Sequence, residues 1–268
     1  MHALLQRHGL RPSRALGQHF LADPNTARRI VRLAELPEAV AVVEVGPGLG
    51  SLTLALCAAG HHVRAVELDR HIEPALREVV DACAVDVVPG DALTIDWPAL
   101  LADTPRWAMV ANLPYNVATP VLVRALETAP TIERFLVMIQ REVGERLAAA
   151  PGSKTYGAVS VKVAYYCEAK VVGIVPASVF VPRPNVESAL VRLVRRAAPP
   201  VDVPDEARLF EIVRAGFATR RKSLRQSLRS ALGARTDEVL ARTSIDPMTR
   251  AEQLGLEEWA TLANAEQA

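Results

Sequence analysis

The strongest candidates for chemistry are four consecutive residues that follow an apolar run: Asn112, Leu113, Pro114 and Tyr115. The Asn112 side-chain oxygen and the Leu113 carbonyl can accept the two hydrogens of an amino group. Proline lacks a backbone N–H and fixes the turn, and tyrosine offers a face for a ring. An exocyclic amine of a nucleobase is a poor nucleophile, and acceptors for its hydrogens stabilise the positive charge that develops on nitrogen in the transition state. The segment predicts alkylation of such an amine, with a strand end followed by a turn as the alternative.

A glycine-rich turn lies upstream of these residues. The apolar run 41–45 predicts a buried strand, and a helix is expected to begin at Ser51. Between them, Gly46, Gly48 and Gly50 would let the backbone approach a ligand closely. A tight turn without a ligand is the alternative.

Acidic residues end the next two predicted strands. Glu67 follows strand 62–66, at the distance from the glycines where a carboxylate meets ribose hydroxyls, and Asp91 follows strand 84–88. Each alone is more often a helix cap or a solvated charge. Together with Asn112 they form a row along the carboxyl edge of a parallel sheet, where ligands of open α/β sheets bind.

The spacing of the glycines distinguishes between nucleotide cofactors. A dinucleotide motif needs Gly-x-Gly-x-x-Gly/Ala, but Ser51 occupies its third position. No Gly-x-x-x-x-Gly-Lys-Ser/Thr sequence is present to cradle ATP. S-adenosylmethionine suits Gly-x-Gly-x-Gly better, and a methyl donor next to an amine-binding motif makes one coherent reaction.

Motifs spread over nearly the whole chain resemble those of the ribosomal RNA adenine dimethyltransferases, the KsgA/RsmA family. The series is more specific than any of its members. It comprises residues 14–21, 44–48, 65–69, 90–93, 112–116, 140–143, 151–157, 180–188 and 220–225. Arg14 begins the first motif, in which His19 replaces the asparagine usual in the family.

This resemblance implies a Rossmann-like α/β methyltransferase fold with a mostly parallel seven-stranded sheet and a small helical C-terminal domain. It implies that His19, Leu21 and Gly48 contact S-adenosylmethionine. Gly46 would line its methionine part, Glu67 would bind its ribose, Asp91 would bind its adenine, and Asn112 would lie near the reacting centre. The implied substrate is a pair of adjacent adenines in a hairpin loop near the 3′ end of 16S rRNA, in a partly assembled 30S subunit.

Phe180 is a second candidate for base stacking. The prolines at 182 and 184 impose an extended path on its segment. A ring fixed there could complete a sandwich with Tyr115 around a flipped-out base. The alternative is that Phe180 packs under the loop.

Positive charge is concentrated in the C-terminal third, although the net charge of the chain is only +1. Residues 192–242 contain 12 Lys or Arg and 6 Asp or Glu. Arg214, Arg221, Arg225 and Arg229 recur at helical spacing, with Arg220 and Lys222 beside them. A solvated helix face is the common reading of such a stripe, but the family resemblance favours contact of Arg220, Arg221, Lys222 and Arg225 with RNA phosphates.

Composition predicts two domains: a catalytic domain at 1–196 and a helical domain at 205–268. The linker at 197–204 contains three prolines. No apolar run reaches the length of a membrane span, and the start of the chain lacks a secretory signal. The three cysteines, Cys57, Cys83 and Cys167, lack metal-ligand spacing and suit a reducing compartment. A cytoplasmic monomer without a metal ion is therefore expected.

The sequence leaves three alternatives open. A nucleotide-dependent oxidoreductase shares the glycines and Glu67 but leaves Asn112 to Tyr115 unexplained. A non-catalytic RNA-binding assembly factor explains only the basic segment. An antibiotic-resistance type of methyltransferase, acting on an adenine of large-subunit rRNA, shares the donor fold, although residues 154–157 and 180–188 favour the small-subunit branch.

Overall fold

A seven-stranded sheet is the centre of the computed structural model, which describes residues 1–13, 15–38 and 40–267. Arg14, predicted to begin the N-terminal motif, lies outside the described residues. The strands of the sheet are β2 (Ala41–Val45), β3 (Val63–Glu67), β4 (Val85–Pro89), β5 (Trp107–Asn112), β6 (Ile132–Gln140), β7 (Cys167–Val175) and β9 (Ser188–Arg195). A separate two-stranded sheet pairs β1 (Phe20–Leu21) with β8 (Phe180–Val181).

The strand order is β4-β3-β2-β5-β6-β9-β7. The pairs β4/β3, β3/β2, β2/β5 and β5/β6 are parallel, and β9 runs antiparallel to β6. The predicted α/β class and mostly parallel seven-stranded sheet are confirmed. Because β2, β3, β4 and β5 are parallel to their neighbours, the residues that end them lie along one edge of the sheet.

Apolar side chains explain why these segments form the middle of the sheet. Every residue of β2 is buried, and so are the first five residues of β5. Strands of parallel sheets are covered on both faces and therefore read as continuous apolar runs. Glu44 departs from this pattern, since it is a carboxyl inside a buried strand.

Helices connect and cover the strands. Their starts follow local rules: Asp23 caps α2 by accepting hydrogen bonds from the backbone N–H groups of Asn25 and Thr26, and Pro24 occupies the first helical position. The α-helices are α1 (His2–Arg7), α2 (Pro24–Ala34), α3 (Ser51–Ala58), α4 (Glu73–Val80), α5 (Trp97–Leu100), α6 (Ala118–Thr128), α7 (Arg141–Leu147), α8 (Ala158–Tyr166), α9 (Glu206–Ala218), α10 (Leu224–Ser227), α11 (Arg229–Leu232), α12 (Thr236–Ala241) and α13 (Leu256–Gln267).

The chain forms two compact units. The sheet unit comprises Met1–Gly144 and Ala169–Arg195, and the helical unit comprises Glu145–Glu168 and Arg196–Ala268. Residues 145–168 belong to the helical unit, although the predicted boundary placed them in the first domain. Their side chains explain this, because Tyr156, Val161 and Tyr165 share a buried apolar cluster with residues of α9 and α13.

The predicted stripe of arginines on one helix is wrong. Helix α9 ends at Ala218, and α10 begins at Leu224 after a turn in which the Lys222 N–H donates to the Thr219 carbonyl at 3.0 Å. Thr219 and Ser223 flank three adjacent cations, and both residue types favour helix ends over helix interiors. Residues 219–223 therefore form a basic turn between two helices.

Candidate active site

One cavity of the sheet unit contains most of the predicted site. The predicted residues that line it are His19, Leu21, Gly46, Gly48, Glu67, Asp91, Asn112, Leu113, Pro114 and Tyr115. They come from residues 15–21, which we call the N-terminal segment, and from the carboxyl ends of β2, β3, β4 and β5. Residues spread over nearly one hundred positions thus meet at one edge of the sheet, as the row of strand ends predicted.

The glycine turn is shaped by both conformation and space. Gly46 and Gly48 have φ angles of 69° and 56°, a region that residues with side chains rarely adopt. A Cβ on Gly48 would lie 2.8 Å from Cδ1 of Phe20, and one on Gly46 would lie 3.3 Å from Cδ of Pro114. The N-terminal segment and the amine-binding motif therefore both pack against this turn, which leaves no room for a side chain.

Glu67 links the ends of β3 and β2. Its Oε2 accepts a hydrogen bond from the Gly48 N–H at 3.1 Å, and its Oε1 accepts one from the Asp69 N–H at 2.9 Å. Burial raises the pKa of this carboxyl, while the two N–H groups oppose that shift. Glu67 thus fixes the glycine turn and lines the cavity with the same carboxylate.

Asp91 and Leu21 occupy simpler positions. The Asp91 carboxylate follows β4, where its Oδ1 accepts a hydrogen bond from the Leu93 N–H at 2.8 Å. Leu21 belongs to β1, is buried, and contributes to the apolar cluster beneath the cavity. Both residues line the cavity, and their contact with a donor stays a prediction.

Glu44 is a cavity residue that was not predicted as part of the site. It is 1% exposed, and Thr53 Oγ1 donates to its Oε2 at 2.6 Å. Burial is the main reason that the pKa of this carboxyl rises from 4.5 to about 8, and the nearby charge of Glu67 raises it further. Glu44 is therefore neutral at pH 7. The one signal in the sequence was a carboxyl at the centre of an apolar strand.

The raised pKa of Glu44 should make the stability of the fold depend on pH. Between about pH 4.5 and 8 the folded chain keeps this proton and the unfolded chain has lost it, so stability falls as pH rises through the window. The Glu44→Gln variant does not titrate here. From pH 4.5 to 8, the free energy of unfolding of Glu44→Gln should rise by roughly 2–4 kcal/mol relative to that of the wild type.

Denaturant unfolding at several pH values measures this difference. Glu38→Gln, which changes an exposed carboxyl of the same unit, controls for the loss of a negative charge. A gap between wild type and Glu44→Gln that is constant with pH would mean that Glu44 is not held neutral by burial.

The Asn112 amide is oriented by the N-terminal segment. Its Nδ2 donates to the His19 carbonyl at 3.1 Å, and no described group donates to its Oδ1. The Leu113 N–H donates to the Met138 carbonyl at 3.1 Å, whereas the Leu113 carbonyl accepts from no described backbone group. Two acceptors thus remain at the positions that the amine-binding hypothesis requires.

Tyr115 is held at both ends of its side chain. Its hydroxyl and Ser188 Oγ form a hydrogen bond of 2.6 Å, and its ring lies 5.3 Å from the His19 imidazole at an angle of 31°. Burial raises the pKa of the Tyr115 hydroxyl. A neutral, anchored ring suits a stacking surface, whereas removal of a proton from the amine would require an ionised hydroxyl.

His19 lies on the side of the cavity that contains Asn112. Its Nδ1 donates to the Pro182 carbonyl at 2.7 Å, which requires the proton to be on Nδ1 because a carbonyl only accepts. Its described bonds join Asn112, Tyr115 and the segment after β8, and none joins the glycine turn. Contact of His19 with a donor stays a prediction.

The predicted sandwich of Phe180 and Tyr115 is not present. Phe180 is 2% exposed and belongs to an apolar cluster with Leu21 and Ile30. Its strand pairs with β1, with Phe180 opposite Leu21, which places the ring inside the unit. A ring with both faces packed offers no surface for a base, so the alternative reading of Phe180 is the one that this structure supports.

The residues that line the cavity match the parts of a nucleoside methyl donor. A glycine turn without room for side chains, a buried carboxylate at the end of β3 and a second carboxylate after β4 fit a nucleoside with a flexible tail. No group of three or more His, Cys, Asp or Glu among residues 1–13, 15–38 and 40–267 could hold a metal ion. The cavity fits an organic cofactor and offers acceptors for an amine beside it.

The predicted RNA-binding residues divide into two groups within the helical unit. Arg225 forms a two-bond ion pair with Asp237, and Arg220 donates to the Lys154 carbonyl at 2.7 Å. Arg221 and Lys222 are exposed and make no side-chain hydrogen bond or ion pair within the described chain. The second pair is therefore the one available to a phosphate.

A family of ribosomal RNA enzymes matches almost the whole sequence. The model described as "Ribosomal RNA adenine dimethylase" matches residues 10–267. "Ribosomal RNA small subunit methyltransferase A" of Thermobifida fusca is 47% identical over 263 residues, which cover 95% of this chain and 90% of that protein. The protein of the same name from Geobacillus sp. strain WCH70 is 40% identical and covers 98% of this chain and 94% of its own.

Solved structures have the same architecture. A dimethyladenosine transferase from Plasmodium falciparum superimposes with a TM-score of 0.74 at 20% identity, covering 91% of this chain and 96% of that one. The 23S rRNA methyltransferase ErmE superimposes with a TM-score of 0.69 at 27% identity, covering 93% and 100%. The first comparison supports the fold alone, and both agree with the Rossmann-like methyltransferase sheet.

Proposed function

Because this chain belongs to the ribosomal RNA adenine dimethylase family, we propose that it methylates two adjacent adenines near the 3′ end of 16S rRNA. Each adenine receives two methyl groups on N6, and S-adenosylmethionine is the donor. Family membership confirms that the chain is a methyltransferase and excludes the oxidoreductase and non-catalytic alternatives. The observation that carries the proposal is the orientation of Asn112, which lines the cavity together with Glu67 and Asp91 and whose Oδ1 accepts from no described group.

The donor would be held along the edge of the sheet. The glycine turn would accommodate its methionine part, Glu67 would accept from its ribose hydroxyls, and Asp91 would accept from its adenine amine. S-adenosylmethionine supplies an electrophilic methyl group. The chain supplies a cavity without bulky side chains at Gly46 and Gly48, so that the backbone approaches the ligand closely.

The target amine would be held by two oxygens and a ring. Asn112 Oδ1 and the Leu113 carbonyl accept its hydrogens, which favours a pyramidal nitrogen with an available lone pair. These bonds strengthen as positive charge develops on nitrogen. Pro114 fixes the turn, and Tyr115 stacks on the base. An amide cannot take up a proton, so the acidic alkylated nitrogen releases its proton to water.

Nucleoside analysis tests the proposal directly. Small ribosomal subunits that lack the two dimethylated adenines are incubated with the enzyme and labelled donor, and their RNA is digested for mass spectrometry. Dimethyladenosine at adjacent positions near the 3′ end of 16S rRNA is the expected product. Dimethyladenosine confined to large-subunit RNA would support the resistance-type alternative and overturn this assignment.

We propose that the basic turn of the helical unit contacts the RNA backbone. Replacing both Arg221 and Lys222 by alanine should weaken RNA binding. It should also lower the slope of log Kd against log salt by the amount that corresponds to about two phosphate contacts. Arg225→Ala should change the slope less, because its guanidinium already pairs with Asp237. Filter-binding assays between about 50 and about 200 mM salt measure the slopes.

The control for Arg225→Ala is Arg242→Ala, which also removes one positive charge from an exposed pair, here with Glu238, and a bond to the Ala265 carbonyl. Equal slopes for the double variant and wild type would remove the basic turn from the RNA surface. A larger change for Arg225→Ala than for the double variant would mean that the Arg225–Asp237 pair opens on binding.

The setting of the reaction is also a proposal. We infer that the enzyme acts as a monomer in the cytoplasm on a partly assembled 30S subunit, since an rRNA substrate is met during assembly. No helix within the described residues combines the length and apolarity that crossing a bilayer requires.

A further inference from the structure

The candidate active site lacks positive charge, although its proposed substrate is a polyanion. Glu44, Glu67 and Asp91 line the cavity, and no Lys or Arg occurs among the described residues that line it. A flipped-out adenosine brings its own 5′ and 3′ phosphates to the mouth of the pocket. Cations that neutralise those phosphates must therefore come from segments at the rim.

One segment of the sheet unit is bonded at both of its ends to residues that line the cavity. At the first end, the Pro182 carbonyl accepts from the His19 imidazole at 2.7 Å. At the second end, Ser188 Oγ bonds to the Tyr115 hydroxyl at 2.6 Å. We call residues 182–188 the rim loop. Its position relative to Asn112 and Tyr115 is set by these bonds, and its prolines restrict its backbone.

Arg183 is the available cation of the rim loop. It is exposed, and it forms no hydrogen bond or ion pair with the described part of the chain. Arg141, a second cation beside this loop, donates to the Glu187 carboxylate at 2.9 Å. Arg11 and Arg183 each border a hollow outside the cavity, and that of Arg183 also contains Pro176 and Ala177. Of the two, Arg183 lies on the segment that is bonded to both His19 and Tyr115.

We propose that Arg183 binds the ribose-phosphate backbone of the target strand at the nucleotide that enters the cavity or at its neighbour. This inference rests on the proposed function and adds a substrate-positioning residue to it. An exposed guanidinium without a protein partner loses no ion pair when it meets a phosphate, and its planar fork matches phosphate oxygens. The two anchoring bonds of the rim loop relate this contact to the oxygens that hold the amine.

The test compares Arg183→Ala, Arg183→Lys and the control Arg32→Ala on small subunits that lack the methylations. Arg32 is exposed, and its side chain makes no hydrogen bond or ion pair with the residues that the structure describes. It lies in the last turn of α2, which leads to the amino end of β2 and so to the opposite edge of the sheet. Steady-state kinetics, the salt dependence of RNA binding and the donor dissociation constant are measured for each.

Arg183→Ala should raise KM for the RNA roughly five- to tenfold and lower the salt slope by about one contact. Its kcat and donor affinity should stay within about twofold of wild type, because the contact is made equally before and during the reaction. Arg183→Lys should keep most of the slope, since a point charge still neutralises a phosphate, and Arg32→Ala should match wild type.

The inference is overturned if Arg183→Ala and Arg32→Ala have the same KM and slope, or if Arg183→Ala loses donor affinity in parallel, which would indicate a disturbed cavity. Failure of the wild type to methylate the RNA would instead overturn the proposed function and this inference with it. Activity of the wild type therefore separates the two failures.

Discussion

Replacing Asn112 by alanine is expected to lower the turnover number about a thousandfold, while the dissociation constant of the methyl donor changes less than about threefold. The reason is that Asn112 Oδ1 bonds to the amine more strongly as charge develops on nitrogen. The amide needs no reorganisation for this, because its Nδ2 is already bonded to the His19 carbonyl at 3.1 Å. Single-turnover kinetics and calorimetry of donor binding measure the two quantities separately.

Asn116 provides a matched control for this result. Its Nδ2 also donates to a carbonyl of the N-terminal segment, that of Ala15 at 3.1 Å, and its side chain lines the same cavity. Asn116→Ala therefore removes an equivalent tie without removing an amine acceptor, and should lower turnover about tenfold at most. Equal losses in the two variants would mean that Asn112 acts by holding the N-terminal segment.

Much of the site could be predicted because parallel strands bring their carboxyl ends together. If 41–45, 62–66, 84–88 and the apolar run 107–111 before Asn112 are parallel strands, the glycines, Glu67, Asp91 and Asn112 must share one edge. In the structure the first strand has the predicted bounds, the second and third begin and end one residue later, and the fourth ends one residue later. Shifts of one residue do not change the shared edge, because Glu67 and Asn112 end their strands and the glycines and Asp91 follow theirs.

The features that could not be predicted depend on contacts distant in sequence. Phe180 is buried because β8 pairs with β1, and a two-residue strand has no periodic pattern to reveal it. The tie between Asn112 and His19 crosses ninety-three positions and uses a carbonyl, which every residue possesses. The predicted stripe of arginines was wrong for a local reason. The arginines keep helical spacing through a segment in which Thr219 ends α9 and Ser223 precedes α10.

Replacing Glu67 by glutamine is expected to weaken donor binding about a hundredfold while the fold is retained. Two backbone N–H groups, of Gly48 and Asp69, converge on the carboxylate at 3.1 and 2.9 Å. An amide has only one oxygen, so its NH₂ group would face one of these donors. An unsatisfied buried donor costs roughly 1–3 kcal/mol, and the ribose loses part of its acceptor as well.

A cycle between protein and ligand separates these two causes. Wild type and Glu67→Gln are each titrated with the donor's demethylated product and with its analogue lacking the ribose hydroxyls. If Glu67 binds the ribose, removing the hydroxyls should weaken binding to wild type much more than binding to the variant. An equal loss in both proteins would mean that the carboxylate acts through the Gly48 N–H, as the part of the protein that shapes the glycine turn. This outcome would be informative because the Gly48 and Asp69 N–H groups already hold the carboxylate. Glu67 would then position the glycine turn without contacting the donor.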